Sequence, residues 1–213
     1  MKSTQLTPTE IMSVSPIIPV IEISDINHSI DLANALIAGG INVLEITLRT
    51  KAALDAINLI AKELPEAVVG AGTVLNTTDL SKVRDAGAQF AISPGCTNSL
   101  LKGAADMNFS LIPGVSSGSE IMNGLELGYT NFKLFPATSV GGISLLKSFN
   151  GPFQQVKFCP TGGVNENNFL DFLALDNVLC AGGSWVAPTN LVKAGDFSAI
   201  TEITSKALAK LKK

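Results

Sequence analysis

Eight short apolar runs, rich in β-branched or aromatic residues, recur along the chain at nearly even spacing, and no other feature limits its folds as sharply. They begin at Ile17 (IIPVI), Val43 (VLEIT), Ala67 (AVVG), Phe90 (FAIS), Ser110 (SLIPG), Asn131 (NFKLF), Val156 (VKFCP) and Asn177 (NVLCAG), at intervals of 20 to 26 residues. A strand that is apolar along nearly its whole length is buried on both faces, as in a parallel sheet covered by helices. Helical patterns fill the intervals. Leu54, Ile57, Ile60 and Ala61 share a face after Thr50, which reads as the cap, and Pro65 ends that helix. Ser117 to Glu120 reads as a capping box ahead of Ile121, Met122 and Leu125. Phe169, Phe172 and Leu173 keep the helical period, as do Phe197, Ile200, Ile203, Ala207 and Leu208. Gly39-Gly40, Gly87 and Gly128 stand where helices end before strands.

Eight such units in 213 residues average about 27 residues each, the small end of the range for an α/β (β/α)8 barrel, also called a TIM barrel. A doubly wound open sheet is the competing architecture, but it gathers its ligand groups at one switch point rather than after many strands. No linker or low-complexity stretch divides the chain, so residues 1–213 read as one domain.

Composition removes several function classes. The net charge of −3 and acidic balance lack the basic footprint of a nucleic-acid binder. No run approaches the ~18 apolar residues of a membrane span, and Met1 to Glu10 lacks the apolar core of a secretory signal. Cys96, Cys159 and Cys180 are odd in number and form no CxxC, which fits the reducing cytoplasm. One histidine, His28, stands at a helix start and reads as a solvated first-turn side chain. Zinc and iron sites and histidine-driven triads need more than that, so no metal and no cofactor is expected.

In a barrel of this kind chemistry collects at the C-terminal strand ends. Alternation along the second strand puts Val43, Glu45, Thr47 and Arg49 on one side and Leu44, Ile46 and Leu48 on the other. The sixth strand carries Lys133 in phase with Asn131 and Phe135. By itself Lys133 could be a strand-edge lysine whose amine snorkels to water. Glu45, a second ionisable group inside a strand, favours chemistry over a buried salt bridge, which stabilises weakly. A lysine amine attacks carbon only when neutral, and burial beside a cation such as Arg49 disfavours the ammonium. Such an amine condenses with a ketone to an iminium, an electron sink for making or breaking the adjacent C–C bond. Glu45 is the carboxylate placed to shuttle the protons. Arg49 offers a planar fork for a substrate carboxylate, with the Thr73 hydroxyl beside it. Gly162-Gly163 and Gly182-Gly183-Ser184 follow the seventh and eighth strands, the loops in which barrels commonly hold phosphate. The residues therefore point to an imine-forming lyase acting on a phosphorylated keto acid.

Six ordered blocks carry a closer resemblance: LEITLRT (44–50), VGAGTVLN (69–76), GAQFAISPG (87–95), FKLFPA (132–137), FCPTGGV (158–164) and CAGGSW (180–185). They resemble the bacterial 2-keto-3-deoxy-6-phosphogluconate (KDPG) aldolases and related 4-hydroxy-2-oxoglutarate aldolases along essentially the whole chain. The resemblance implies a homotrimeric, metal-independent class I aldolase of the Entner–Doudoroff pathway that releases pyruvate and glyceraldehyde 3-phosphate. It implies Lys133 as the Schiff-base lysine and Glu45 as general acid/base, with Arg49 and Thr73 holding the pyruvate carboxylate and Thr161 lining the same pocket. Pro94 and Phe135 would shape the pyruvate pocket, while Gly162, Gly163, Gly183 and Ser184 would bind phosphate. The chain departs from common family patterns at Cys96 and at Thr138-Ser139-Val140. The alternatives are an aldolase for the galactonate epimer or the non-phosphorylated acid, an isomerase or epimerase, and a barrel that only binds a sugar phosphate.

Overall fold

The computed structural model describes residues 5–212. Among them, parallel strands form a ring: β1 (Ile17–Ile21), β2 (Val43–Thr47), β3 (Val68–Gly72), β4 (Phe90–Ile92), β5 (Leu111–Ile112 and Gly114–Val115), β6 (Asn131–Leu134), β7 (Lys157–Pro160) and β8 (Ala181–Gly183). From β1 to β7 each pairs with the next in sequence, and β8 returns to β1 through Ile17↔Ala181, Ile18↔Gly182 and Pro19↔Gly183. Pro113 splits β5 because it has no N–H to donate; its first half pairs with β4, its second with β6, and the Pro113 carbonyl accepts Lys133 N–H at 2.9 Å. The fold is the (β/α)8 barrel that the spacing predicts.

The eighth strand differs from expectation. The run from Asn177 touches β7 only through isolated bridges, Phe158↔Val178 and Thr161↔Gly182, and regular pairing begins at Ala181. Three steps on β7 oppose four on its neighbour, and Pro160 cannot donate, so the ladder bulges there.

Helices α2 (Ser29–Ala38), α3 (Ala53–Glu63), α4 (Thr77–Asp85), α5 (Asn98–Asp106), α6 (Gly118–Glu126), α7 (Gly142–Asn150) and α8 (Phe169–Leu173) follow β1 to β7 in turn. After β8 come the short α9 (Thr189–Ala194) and then α10 (Phe197–Ala209), which packs on α2 and closes the outer ring. A further helix, α1 (Pro8–Ser13), precedes the barrel. It opens on a capping box at Thr7 and Glu10 and buries Ile11 and Met12 in the cluster that holds Ile41 and Val43. No described helix is long and apolar enough to cross a membrane.

Side-chain and glycine chemistry sets several helix ends as the local sequence predicts. Ser117 caps α6 by accepting from Glu120 N–H, although the Glu120 carboxylate reaches back to Ser116 N–H rather than to Ser117 N–H, so only half of the expected capping box forms. Gly40, Gly87 and Gly128 take left-handed conformations at helix ends. Three other readings are corrected. Thr50 does not cap α3, which starts at Ala53 behind Ala52; its hydroxyl instead donates to the Ile23 carbonyl. Met122 is 58% exposed, because Ile121 and Gly124 form the inner face of α6. His28 is half-buried, with its ring edge-on to Phe197 at 5.5 Å between centroids.

Alternation sorts the strand residues as the sequence predicts. Leu44, Ile46, Val69 and Ala71 join the cluster with helix residues such as Leu36, Ile57 and Leu80, whereas Val43, Phe90, Ile92 and Ile112 belong to a second cluster. On β3 the inward positions are Val68, Gly70 and Gly72, and the space left by the glycines is taken by neighbouring strands. The Phe90 ring lies over Gly70, and the Glu45 carboxylate lies over Gly72. A methyl group at Gly70 would overlap the fully buried Phe90 ring. Gly70→Ala is therefore expected to lower stability by about 1–3 kcal/mol, the usual cost of overpacking a core. The check is a urea midpoint that falls at unchanged slope; an unmoved midpoint would mean the ring has room to shift.

Candidate active site

Glu45 and Lys133 enter the barrel interior from β2 and β6, strands far apart around the ring. Across that interior Lys133 Nζ donates to Glu45 Oε1 at 3.1 Å. The residues are 5% and 1% exposed, so the pair is screened by protein rather than water. The Phe135 ring, also on the inward phase, lies 5.4 Å from Nζ, centroid to nitrogen, within cation–π range. A Cβ on Gly72 would overlap Glu45 Oε1. The absence of a side chain at Gly72 is therefore what lets the carboxylate turn toward the lysine. The sequence reading passed over Gly72. Its signal was a glycine in β3 on the same alternation phase as a buried acid in β2.

Above the pair the strand ends form a polar rim. Arg49 is exposed, and its Nε donates to Thr73 Oγ1 at 3.3 Å. Thr73 holds φ 60°, a left-handed backbone that a β-branched residue rarely adopts, so the surrounding structure imposes this placement. Pro94 follows β4 and is half-buried; its carbonyl sits where a Cβ on Gly114 would fall, so Gly114 permits the approach of these two segments. Thr161 is buried after β7, with its Oγ1 over Gly182. The Phe135–Pro136 peptide is cis.

The two glycine loops come side by side because Thr161 bridges Gly182. Gly162 and Gly163 both have positive φ, 96° and 78°. Gly183 is buried beneath the Trp185 ring, which itself packs on Phe169 at 5.7 Å, and Ser184 is exposed at the loop's tip. Trp185 was also missed at the sequence level, since a tryptophan after a glycine loop has no signature of its own. The predicted residues Lys133, Glu45, Arg49, Thr73, Pro94, Phe135, Thr161, Gly162, Gly163, Gly183 and Ser184 all lie on, or just beyond, the C-terminal halves of their strands.

Two of the three cysteines are disfavoured as nucleophiles. Burial, with the Cys159 thiol and the Glu45 carboxylate nearby, pushes the Cys180 thiol well up, so it stays protonated. Burial and Glu120 likewise push Cys96 up. Among the described residues no group of three or more His, Cys, Asp or Glu could hold a metal ion. A groove of about 580 Å³ lies near the opposite strand ends, between the 5–9 segment and residues such as Phe109, Tyr129 and Asn131. It contains no ionisable group other than Tyr129, whose burial raises it to about 12 and whose hydroxyl donates to Leu101 O, so it has no counterpart to the ionisable pair at the lysine end.

This chain is similar to several characterised proteins. The family model described as KDPG and KHG aldolase matches residues 9–203. The 2-dehydro-3-deoxy-phosphogluconate aldolase of Pseudoalteromonas atlantica is 51% identical over 208 residues, covering 98% of this chain and 97% of that protein. The KHG/KDPG aldolase of Escherichia coli K12 is 50% identical, covering 98% of each. Among solved structures, the KDPG aldolase of Legionella pneumophila with pyruvate captured at low pH as a covalent carbinolamine superposes with a TM-score of 0.94. It is 47% identical, over 96% of this chain and 99% of that one. A barrel with a buried lysine–carboxylate pair below a polar rim, matched over nearly its whole length by these proteins, belongs to the KDPG and KHG aldolase family.

Proposed function

We propose that this protein is a class I aldolase that reversibly cleaves 2-keto-3-deoxy-6-phosphogluconate to pyruvate and glyceraldehyde 3-phosphate. The observation that carries the reading is the buried 3.1 Å contact between Lys133 Nζ and Glu45 Oε1. One proton crossing that hydrogen bond leaves a neutral amine facing a protonated acid.

The neutral Lys133 amine adds to the C2 ketone, giving a carbinolamine. Loss of water, with the hydroxyl protonated by Glu45, produces the iminium. Glu45, again a carboxylate, then takes the proton of the C4 hydroxyl. The C3–C4 bond breaks, its electron pair passing to C3 and into the iminium, so that an aldehyde leaves and an enamine remains. Protonation of the enamine at C3 and hydrolysis of the resulting iminium release pyruvate and restore the lysine. Glu45, protonated by the C4 hydroxyl, is the acid that protonates C3, so all three proton steps fall to one carboxylate, and positioned acid–base groups of this kind contribute about 10²- to 10⁴-fold to rate.

The rim residues follow from this placement. Arg49 and Thr73 hold the pyruvate carboxylate, with Thr161 lining the same pocket, and Pro94 and Phe135 form its walls. Gly162, Gly163, Gly183 and Ser184 receive the phosphate through closely approaching backbone N–H groups and one hydroxyl. Because the pyruvate half is common to both substrates, side activity on 4-hydroxy-2-oxoglutarate follows. Residues 1–213 act as one domain, supported by a strand ring that runs from Ile17 to Gly183 and by α10 packing on α2. Three free cysteines fit a cytoplasmic setting. A homotrimer would bury apolar side chains such as Leu75 and Met122, 57% and 58% exposed here; light scattering at three times the monomer mass is the expected result.

Lys133→Met fills a similar volume without an amine, so the variant should fold, lose turnover and yield no pyruvate adduct on borohydride reduction. Mass spectrometry of wild type should place a single adduct on Lys133, and a trapped adduct or full activity in the variant would refute the imine mechanism. Glu45→Gln should lower kcat by about 10²- to 10⁴-fold while pyruvate is still trapped. Trapping that fails as badly as turnover would assign Glu45 to activating the lysine instead.

A further inference from the structure

The backbone after β7 departs from strand geometry in a way that sets donors toward the neighbouring loop. In a regular strand successive carbonyls point to alternate sides. Here the Thr161 carbonyl accepts from Ala137 N–H at 2.7 Å and the next carbonyl, Gly162, accepts from Thr138 N–H at 3.1 Å. Two successive carbonyls therefore face the segment that follows β6, a reversal made accessible by φ 96° at Gly162. In a trans peptide the N–H points opposite to the C=O. The N–H groups of Gly162 and Gly163 thus both face the other neighbour, the Gly182–Ser184 loop that Thr161 bridges. The bridge between Thr161 and Gly182 engages the first of them with the Gly182 carbonyl, so the donors left for an anion begin at Gly163, and N–H groups turned to one side form an anion-binding concavity.

Three side chains hold this arrangement without being part of it. Thr138 Oγ1 gives the Gly162 carbonyl a second donor at 3.2 Å. The same hydroxyl occupies the space where a Cβ on Gly163 would fall. The Gly163 carbonyl accepts from Asn165 Nδ2 at 3.2 Å and Asn168 Nδ2 at 3.0 Å. The two asparagines are braced in turn, since Asn168 Oδ1 accepts Asn165 N–H at 2.8 Å. The N–H groups of Gly163 and Val164 find no acceptor among the described residues. Two consecutive glycines are the least self-restrained dipeptide available, and their peptide would rotate readily without such anchors. Preorganising donors lowers the ordering cost of binding.

We propose that Thr138, Asn165 and Asn168 are positioning residues for the phosphate end of the substrate, fixing the Gly162 and Gly163 carbonyls so that the backbone N–H groups stay turned toward the anion. The proposal rests on the reading of these glycines as the phosphate loop. It separates recognition of the phosphate from the imine chemistry at Lys133, which none of the three touches.

The test compares steady-state kinetics of Thr138→Val, Thr138→Ser and Asn168→Ala on the phosphorylated keto acid and on 4-hydroxy-2-oxoglutarate, with pyruvate trapping as a third readout. Thr138→Val and Asn168→Ala are expected to raise KM for the phosphorylated acid roughly three- to tenfold, the equivalent of about one lost hydrogen bond, with kcat within about twofold. Efficiency on the non-phosphorylated acid and the trapping rate should stay unchanged, and Thr138→Ser should restore KM. An equal loss on both acids would show a merely structural role and overturn the proposal. A wild-type preference for the phosphorylated acid that survives in both Thr138→Val and Asn168→Ala overturns the positioning role alone. Equal wild-type efficiency on the two acids overturns the phosphate-loop reading, and the proposal falls with it.

Discussion

The hydrogen-bonded pair of Lys133 and Glu45 is the constraint around which the barrel interior is arranged. Burying two charged groups carries a desolvation cost of several kcal/mol per ion, and their mutual attraction repays it only with good geometry. A barrel stabilised for its own sake would place apolar side chains at both positions. Here the pair occupies the interior, and neighbouring residues are shaped to it. Gly72 leaves the volume that the carboxylate fills, Gly70 admits the Phe90 ring below, and Phe135 offers an aromatic ring to the ammonium. The resulting arrangement is costly in stability terms, and it is the feature on which the proposed proton transfer between two groups shielded from water rests.

The fold divides these tasks by position along the strands. Toward the N-terminal ends, Ile11 and Met12 from α1 join Ile41 and Val43 in closing the interior with apolar bulk. Toward the C-terminal ends, polar side chains and glycine turns from β2, β3, β4, β6, β7 and β8 converge. Parallel strands make this convergence automatic, because every C-terminal end lies on one face. Glycine serves two separate purposes there. At Gly72 and Gly114 it makes room for a neighbouring group, whereas at Gly162 it reverses a peptide so that successive N–H groups face one way.

Much of this was legible in the sequence. Strand periodicity sorted Glu45 and Lys133 to the interior and Leu44 and Ile46 to the helix layer, since alternation is a geometric necessity of extended backbone. Ser117 was legible as a cap because its hydroxyl and Glu120 act locally. Thr50 misled for the opposite reason: its hydroxyl bonds the Ile23 carbonyl, 27 residues away, a partner that local pattern cannot reveal. Met122 fits an apolar stripe in sequence, yet faces outward because the glycine at 124 brings α6 against the Phe132 ring. The late start of β8 depended on Pro160 in the neighbouring strand, and so on pairing rather than on its own residues.

The sequence by itself determined the number of strand units, the alternation that places the ionisable groups inward, and the residue types from which the chemistry is built. These depend on nearest neighbours along the chain, and local sterics and hydrophobic periodicity suffice to decide them. Only the tertiary structure decided that residues 88 positions apart meet at 3.1 Å, that Gly72 makes this possible, and that Thr138 and two asparagines hold the glycine loop. Those facts depend on strand register and ring closure, which are set by how the whole set of side chains packs at once.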